Sequence, residues 1–499
     1  GGREITHAAW YASSESDLKD NHQHNPIEYD NEIDDFSQPH FEIHHNYSMN
    51  QQLLLSNSLF YIFGNGYYEQ LKQDQDLWEY GIASEQEEIF GDLVRQKKVR
   101  KNQYGIVSEL NWEHEAGKLD LGIYGSSFTS KHWGEVKKLV SEEYDLESGD
   151  DYYHYTGDKS YLAVFLNENY RLAENLNLML NLHYQMINYD FSQKRAGNFT
   201  GIYLNSYQVD YDFFNPRFGI NYNLNRYFNL YGNISMAQRE PTDQELYDLW
   251  DGPDDLGVQP LFSNADTLYQ NGQIIGIKWS DPIVQAEKLI DYELGFGYQG
   301  AFWEASLNFF WMDFRNEIVA YGGVNNDGNP IRGNAESTVH RGIEFSVKGR
   351  FSASWEIAGD VSYNDNYFRE FNPYNWSGET DDYSGNSLSG FPDILGKIKC
   401  SYRRENLLAS VQLQHIGKQY LDNTEDDDRI IEAVQICNAA CIWKVPELLK
   451  TIDLELNFRV NNIFDQSYYS AGYFDDWYQE KYFWPAAGRN FYVGIRAGI

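Results

Sequence analysis

The sequence lacks the features that would assign it to several common protein classes. No run approaches the roughly 18 consecutive apolar residues of a membrane helix, which excludes a helical membrane protein. Basic residues are scarce, since 39 Lys and Arg stand against 75 Asp and Glu, for a formal net charge of −36. A field of that sign repels phosphate backbones, so nucleic acid is excluded as a partner.

Cysteine is nearly absent, with three residues in 499, so no disulfide framework is possible. Cys437 and Cys441 lie four residues apart in one predicted strand. At roughly 3.3 Å of rise per residue they are about 13 Å apart, too far for a disulfide. Their spacing also differs from that of a zinc knuckle, so we expect free thiols, buried or facing lipid.

Catalytic and metal-binding motifs are also missing. Neither Gly-x-Ser-x-Gly, His-Glu-x-x-His nor a phosphate-binding loop occurs, so we predict no enzyme and no catalytic residues. Two histidine groups stand out, His22 with His24, and His40 with His44 and His45, but we predict no metal site there. His44 and His45 would point to opposite faces of a strand.

Three acidic runs lie in predicted polar segments. Their oxygens could bind Ca²⁺ in a loop, although none matches an EF-hand, and we expect solvated charge and no cofactor. The runs are Asp30–Asp35, Asp254–Asp255 and Glu425–Asp428.

Aromatic residues, in contrast, are abundant: 40 Tyr, 29 Phe and 13 Trp make up 16% of the chain. Amphipathic rings at this density suit a protein with two water–lipid boundaries. The negative mean hydropathy does not argue against this, because lipid-facing and lumen-facing residues of a membrane barrel alternate and cancel.

Apolar and polar residues alternate at period two in many segments. In the segment 452–460, Ile452, Leu454, Leu456, Phe458 and Val460 would form one face, with Asp, Glu, Asn and Arg between them. The pattern recurs at 119–126, 176–184, 303–311, 355–363 and 407–413. If the apolar face touches lipid and the polar face lines a lumen, these segments are strands of an outer-membrane barrel.

Short and long connections between the predicted strands also alternate, which is typical of such barrels. The long connections are 241–285, 322–335, 371–387, 422–432 and 466–484. We therefore predict an all-β fold, a single domain over residues 1–499 that forms part of a large antiparallel transmembrane barrel. About 17 strands are expected, from 40–50 to 491–499, with a stub at 4–10.

Several short motifs occur in a characteristic order along the chain: Phe214–Gly219, Arg239–Thr242 with Glu245–Tyr247, and Val460–Asp465 with Pro485 and Gly488–Phe491. These motifs resemble TonB-dependent outer-membrane receptors. Gly2–Trp10 and Gly64–Glu69 resemble a branch of these receptors that is common in Bacteroidetes. The final strand ends at Ile499, where family members usually have an aromatic residue.

The resemblance implies an uptake receptor in the outer membrane of a Gram-negative bacterium. It also implies about 22 strands, a plug domain and a segment contacting the TonB–ExbB–ExbD complex. Because residues 1–4 read Gly-Gly-Arg-Glu with no targeting signal, we expect the plug and first strands to lie upstream.

A ferric siderophore or similar iron chelate is the first expectation for the small-molecule ligand. Haem, cobalamin and oligosaccharides remain alternatives. A passive porin is a rival from another class, because it would need neither plug nor TonB. A soluble, carbohydrate-binding β protein is a third, but it would expose rows of Leu and Phe to water.

Ligand contacts are expected from the long loops and the upper lumen. Lipid-interface or loop-packing roles for the same rings are the alternative. The candidate residues are Arg239, Tyr247 and Trp250 in one loop, and Trp477, Tyr478 and Trp484 in another.

Overall fold

The chain folds almost entirely into β-strands. The computed structural model describes residues 13–15, 29–83, 89–140, 151–247, 252–324, 330–373, 379–449, 452–476 and 478–498. Across these ranges no helix is long and apolar enough to cross a bilayer. The stub expected at residues 4–10 lies outside the described residues.

Twenty-five strands are present in the described ranges. In chain order they are β1 (Ser13–Ser14), β2 (Ile33–Ser37), β3 (His40–Ser48), β4 (Leu53–Asp76), β5 (Phe90–His114), β6 (Gly117–Leu139), β7 (Asp151–Ala173), β8 (Leu176–Ala196), β9 (Asn205–Asn223), β10 (Phe228–Arg239), β11 (Phe262–Gln270), β12 (Gln273–Pro282), β13 (Glu287–Gln299), β14 (Trp303–Val324), β15 (Pro330–Arg350), β16 (Trp355–Glu370), β17 (Ile394–Arg404), β18 (Leu407–Ile416), β19 (Gln419–Tyr420), β20 (Ile430–Ile431), β21 (Val434–Leu449), β22 (Ile452–Asn461), β23 (Tyr469–Asp475), β24 (Glu480–Pro485) and β25 (Asn490–Gly498).

Seventeen of these strands pair in one antiparallel series that forms the barrel wall. The series comprises β3 to β10, β13 to β18, β21, β22 and β25. Counted over the described residues, this agrees with the number expected from the sequence. The strands β2 and β3 both pair with β4, each along a different part of its length.

The connections have the two-sided arrangement that the sequence predicts. Two residues join β5 to β6, β7 to β8 and β17 to β18 on one side, whereas the opposite side carries the long connections. The strands β3 and β25 both run from the long-loop side to the short-turn side, as expected for the two end strands of the series.

Apolar side chains form a continuous belt on the outer face of the wall. One row crosses β13 to β17 through Leu294, Phe309, Ile343, Tyr363 and Ile394, each directly opposite the next. All five are exposed. The apolar face is thus exposed, as the barrel hypothesis requires, instead of being covered by a second sheet.

Aromatic side chains border this apolar belt on both sides, as expected at two water–lipid boundaries. Next to the short turns lie exposed Trp112, Tyr170, Tyr222, Phe228, Trp303 and Trp355. Toward the long loops lie exposed Tyr61, Tyr104, Tyr184, Phe214, Tyr292 and Trp311.

The inner face of the wall is polar at the same height. One inner row runs through Asn167, Asn181, Arg217, Ser235 and Asp291 on β7, β8, β9, β10 and β13. The predicted assignment of the polar face to the lumen is therefore confirmed.

Strand lengths divide the wall into two parts. The strands β17, β18, β22 and β25 have 9 to 11 residues, the length that spans a bilayer when tilted. In contrast, β5 has 25 residues and would rise about 60 Å at the usual tilt. The long strands β4 to β8 therefore extend far beyond the apolar belt, on the long-loop side.

Smaller elements lie on that side. The hairpin β11–β12 docks on β9 through a short parallel pairing. The hairpin β23–β24 forms a three-stranded sheet with β1, and β19 pairs with β20. One 3-10 turn, Gly201–Tyr203, precedes β9.

All three cysteines are free, as predicted. Cys437 and Cys441 lie in the single strand β21. Cys437 is buried and Cys441 is half-buried.

Candidate functional site

The extensions of the long strands enclose an aromatic core, which we call the upper core. Phe191 and Tyr207 stack nearly parallel with ring centroids 4.8 Å apart, and Tyr155 and Tyr247 pack against Phe191 at 5.3 and 5.6 Å. All four are at most 5% exposed. Unlike the apolar belt, this part is held by ordinary hydrophobic burial.

A loop after β10 packs into the upper core, and we call its described residues, Glu240–Tyr247 and Gly252–Leu261, the inner loop. The strand β10 ends before Pro241, which lacks an N–H donor. A capping box then forms: the Glu245 N–H donates to Thr242 Oγ1, and the Thr242 N–H donates to Glu245 Oε2. This turn places Leu246 and Tyr247 inside the core.

Ion pairs tether the inner loop to the wall. Arg239 contacts Glu287 at 2.9 Å and Glu245 at 3.3 Å. Asp254 contacts Lys97 of β5 at 2.5 Å, and the lysine side chain is only 4% exposed. Burial alone would raise the pKa of Asp254, but Lys97 lowers it, so this loop carboxylate stays charged.

A cavity of about 340 Å³ lies between the inner loop and strands β5 to β9. Two lysines line it, Lys101 of β5 and Lys159 of β7, together with the loop carboxylates Glu240 and Asp243. Lys159 Nζ lies 2.5 Å from Glu240 Oε1. Burial raises the pKa of Asp243, which favours its uncharged form.

Aromatic rings complete the cavity wall and continue into a second space of about 530 Å³. Phe128 and Lys159 line both spaces. Tyr189 and Tyr211 line the first, and Tyr161 lines the second. Such a lumen-facing cavity combines apolar area with a few charged groups, which is the usual composition of a small-molecule site.

The family model for the TonB-dependent receptor-like β-barrel matches residues 6–484. The chain belongs to this family. The predicted recognition is thereby confirmed, whereas the assignment to a Bacteroidetes branch stays a prediction. No curated protein matches the chain.

Solved receptors share the fold of this TonB-dependent receptor barrel. The ferric yersiniabactin uptake receptor FyuA from Yersinia pestis superimposes with a TM-score of 0.66 at 14% identity, covering 97% of this chain and 65% of that one. The unliganded ferric citrate transporter FecA gives 0.67 at 16%, covering 98% and 65%. The copper transporter OprC gives 0.66 at 12%, covering 93% and 66%. The chain thus spans about two thirds of these receptors' length.

Of the predicted ligand residues in the first loop, two are described. Tyr247 is 1% exposed within the upper core, and Arg239 is paired with two glutamates. Both positions fit the packing alternative, and the ligand role stays a prediction. Trp250 lies outside the described residues.

The predicted residues of the second loop lie in or next to the hairpin β23–β24. Tyr478 is 69% exposed near the end of this hairpin. Trp484 packs against Tyr473 at 5.6 Å, and Trp477 lies outside the described residues. Of the predicted ligand residues that the structure describes, none lines the cavity beneath the inner loop.

Lys101 and Lys159 were not predicted as site residues. A signal was present, because Arg95, Lys97 and Lys101 follow an even spacing in an otherwise acidic chain. Residues at this spacing share one strand face. That face is the lumen face, where Arg95 contacts Gln70 and Lys97 contacts Asp254.

The histidine and acidic groups have ordinary polar partners where they are described. His44 and His45 of β3 contact Ser58 and Asn57 in adjacent rows of β4, so their side chains point to opposite faces, as expected. Within the described ranges, no group of three or more His, Cys, Asp or Glu side chains could hold a metal ion. His22 and His24 lie outside those ranges, and a loop Ca²⁺ stays a hypothesis.

Two of the three acidic runs have protein partners. Asp254 pairs with Lys97, Asp427 pairs with Lys418 at 2.9 Å, and Glu425 accepts a hydrogen bond from the Ser387 hydroxyl. The exposed Lys418 lowers the pKa of Asp427. The exposed Asp427 fits the solvated loop charge expected from the sequence, whereas Asp254 lies in a largely buried pair.

Proposed function

We propose that this chain is the barrel part of an outer-membrane receptor in a Gram-negative bacterium that takes up a scarce nutrient with TonB-driven energy. The cargo would be a ferric siderophore or a similar iron chelate. The observation that carries the proposal is the family membership, together with the apolar belt bordered by aromatic rings. An exposed belt of this kind is stable only against lipid.

The iron-chelate cargo has two further supports. FyuA and FecA, which share this fold, are named as receptors or transporters of ferric chelates. The cavity beneath the inner loop also offers aromatic rings and lysines to a small polar ligand. OprC, named as a copper transporter, has the same fold, so fold alone does not choose the cargo.

The partners follow from the family. A segment beyond this chain would contact the TonB–ExbB–ExbD complex, and lipid would surround the apolar belt. Membership in a receptor family also supports the prediction that the chain has no enzymatic role.

Uptake by the full-length gene product tests the proposal. The full-length protein should be expressed in a Gram-negative host that lacks its own ferric-chelate receptors. Radiolabelled iron should then be supplied with each of several siderophores. We expect uptake of at least one chelate, and its loss in an otherwise identical host without TonB.

Two outcomes would contradict the proposal. Uptake that persists without TonB would indicate a passive porin. Uptake of haem, cobalamin or an oligosaccharide, with no ferric chelate transported, would retain the receptor but reject the cargo.

A further inference from the structure

The two lysines of the cavity differ in their partners. Lys159 is paired with Glu240 of the inner loop. Lys101 forms no salt bridge with any residue in the described ranges, and its Nζ lies 5.8 Å from the centre of the Phe36 ring. One cation of the cavity therefore lacks a carboxylate partner in salt-bridge range, and the other has a partner on a loop.

Strand register places both lysines on one wall. Lys101 lies opposite Ser130 of β6, and Ser130 lies opposite Gly157 of β7. Lys159 is two residues beyond Gly157, on the same face. Across two strand spacings and one two-residue step, the lysine Cα atoms are about 12 Å apart, so both side chains can reach one ligand.

Gly157 lies between the lysines and lets the Tyr189 ring pack directly against the strand. A Cβ atom at this position would lie 2.7 Å from the Tyr189 hydroxyl, which faces the cavity. The charged groups that line the cavity are Lys101, Lys159, Glu240 and Asp243. Glu240 is the carboxylate in direct contact with a cavity lysine, so an anion that binds Lys159 must replace it.

We propose that Lys101 and Lys159 form an anion-binding subsite, and that a bound anionic group replaces Glu240 on Lys159. The inference rests on the proposed function for its ligand class and adds two properties. The subsite selects anionic over uncharged chelates, and occupancy breaks the contact that ties the start of the inner loop to β7. Binding is thereby coupled to loosening of the first residues of that loop, while the Lys97–Asp254 pair and the buried Tyr247 hold the rest.

The full-length receptor in detergent should be titrated by calorimetry with ferric citrate and a ferric tricatecholate, which are anionic, and with a ferric trihydroxamate, which is uncharged. Lys101→Gln and Lys159→Gln should each weaken binding of the anionic probes about tenfold, because each removes a charge-assisted contact. Binding of the uncharged probe should change less than about twofold. Lys131→Gln is the matched control, because Lys131 is exposed on the outer face of β6.

Glu240→Gln tests the exchange itself. It should strengthen binding of the anionic probes by about two- to fivefold, since the ligand no longer competes with a carboxylate of a partly exposed pair. In wild type, an anionic probe should speed hydrogen exchange of the inner loop. In the Glu240→Gln variant that exchange should already be fast.

Three results would overturn the subsite: equal weakening of charged and uncharged probes by the lysine variants, weaker anion binding in Glu240→Gln, or no binding of any anionic probe by wild type. Metal-free citrate separates the subsite from the cargo. Lysine-dependent binding of citrate without uptake of any ferric chelate would retain the subsite and reject the proposed function. Uptake of a ferric chelate that is unchanged in the lysine variants would retain the proposed function and reject the subsite.

Discussion

The apolar belt and the upper core use the same residue types in opposite surroundings. Phe309, in the belt, is 38% exposed on the outer face, whereas Phe191, in the upper core, is 2% exposed on the inner face. Both are phenylalanines in long strands of one continuous sheet. The height along the strand and the face decide which solvent, lipid or protein, each ring meets.

The two regions therefore differ in what stabilises them. In the apolar belt, each side chain gains from lipid contact, and the sheet hydrogen bonds hold the register. In the upper core, rings gain from packing against loops that must first be ordered, at a cost in conformational entropy. Substitutions should distinguish these two sources of stability.

Phe191→Ala should have the largest effect, because it leaves a cavity among Tyr155, Tyr207 and Tyr247. Removal of a buried phenylalanine costs about 3–5 kcal/mol. Unfolding by urea, followed by near-ultraviolet circular dichroism of the tyrosine cluster, would measure the loss.

The matched control is Phe345→Ala in the apolar belt, where the ring is 41% exposed. This variant should lose clearly less free energy of unfolding than Phe191→Ala, because no protein cavity forms around the missing ring. Equal losses for the two variants would contradict the distinction between a protein-packed core and a lipid-facing belt.

Leu456→Arg should have the next largest effect. Leu456 lies between Trp443 and Ile495 in an outer row of the belt, and an arginine at mid-bilayer depth costs about 2–4 kcal/mol. Folding into liposomes, measured as the fraction that resists protease, would show the loss.

Asn457→Arg is the control for the belt, because Asn457 points to the lumen opposite Gly494. It should fold nearly as well as wild type. If both arginine variants fold equally, the outer face does not contact hydrocarbon, and the barrel interpretation of the belt fails.

The apolar belt could be predicted from the sequence, and the candidate site could not. Period-two alternation depends only on neighbours along the chain, so Leu456 and its row were assigned to the correct face. The cavity depends on the fold of the inner loop, where a capping box and the Lys97–Asp254 pair set which side chains turn inward. The residues that pair across it, Lys159 and Glu240, are 81 positions apart, a separation that no local pattern reveals.

Arg239→Gln should have the smallest effect on stability. It tests whether Arg239 holds the inner loop or contacts the ligand. The sequence suggested a ligand contact, whereas the structure pairs Arg239 with Glu245 and Glu287. Its side chain is 40% exposed, so loss of these pairs should cost about 1 kcal/mol or less. Hydrogen exchange of Thr242–Tyr247 should become faster by up to about fivefold, while Arg226→Gln, at a short turn on the opposite side, should leave it unchanged. Unchanged exchange together with weaker chelate binding would instead support the ligand role, and would show that the inner loop is held by the upper core without this arginine.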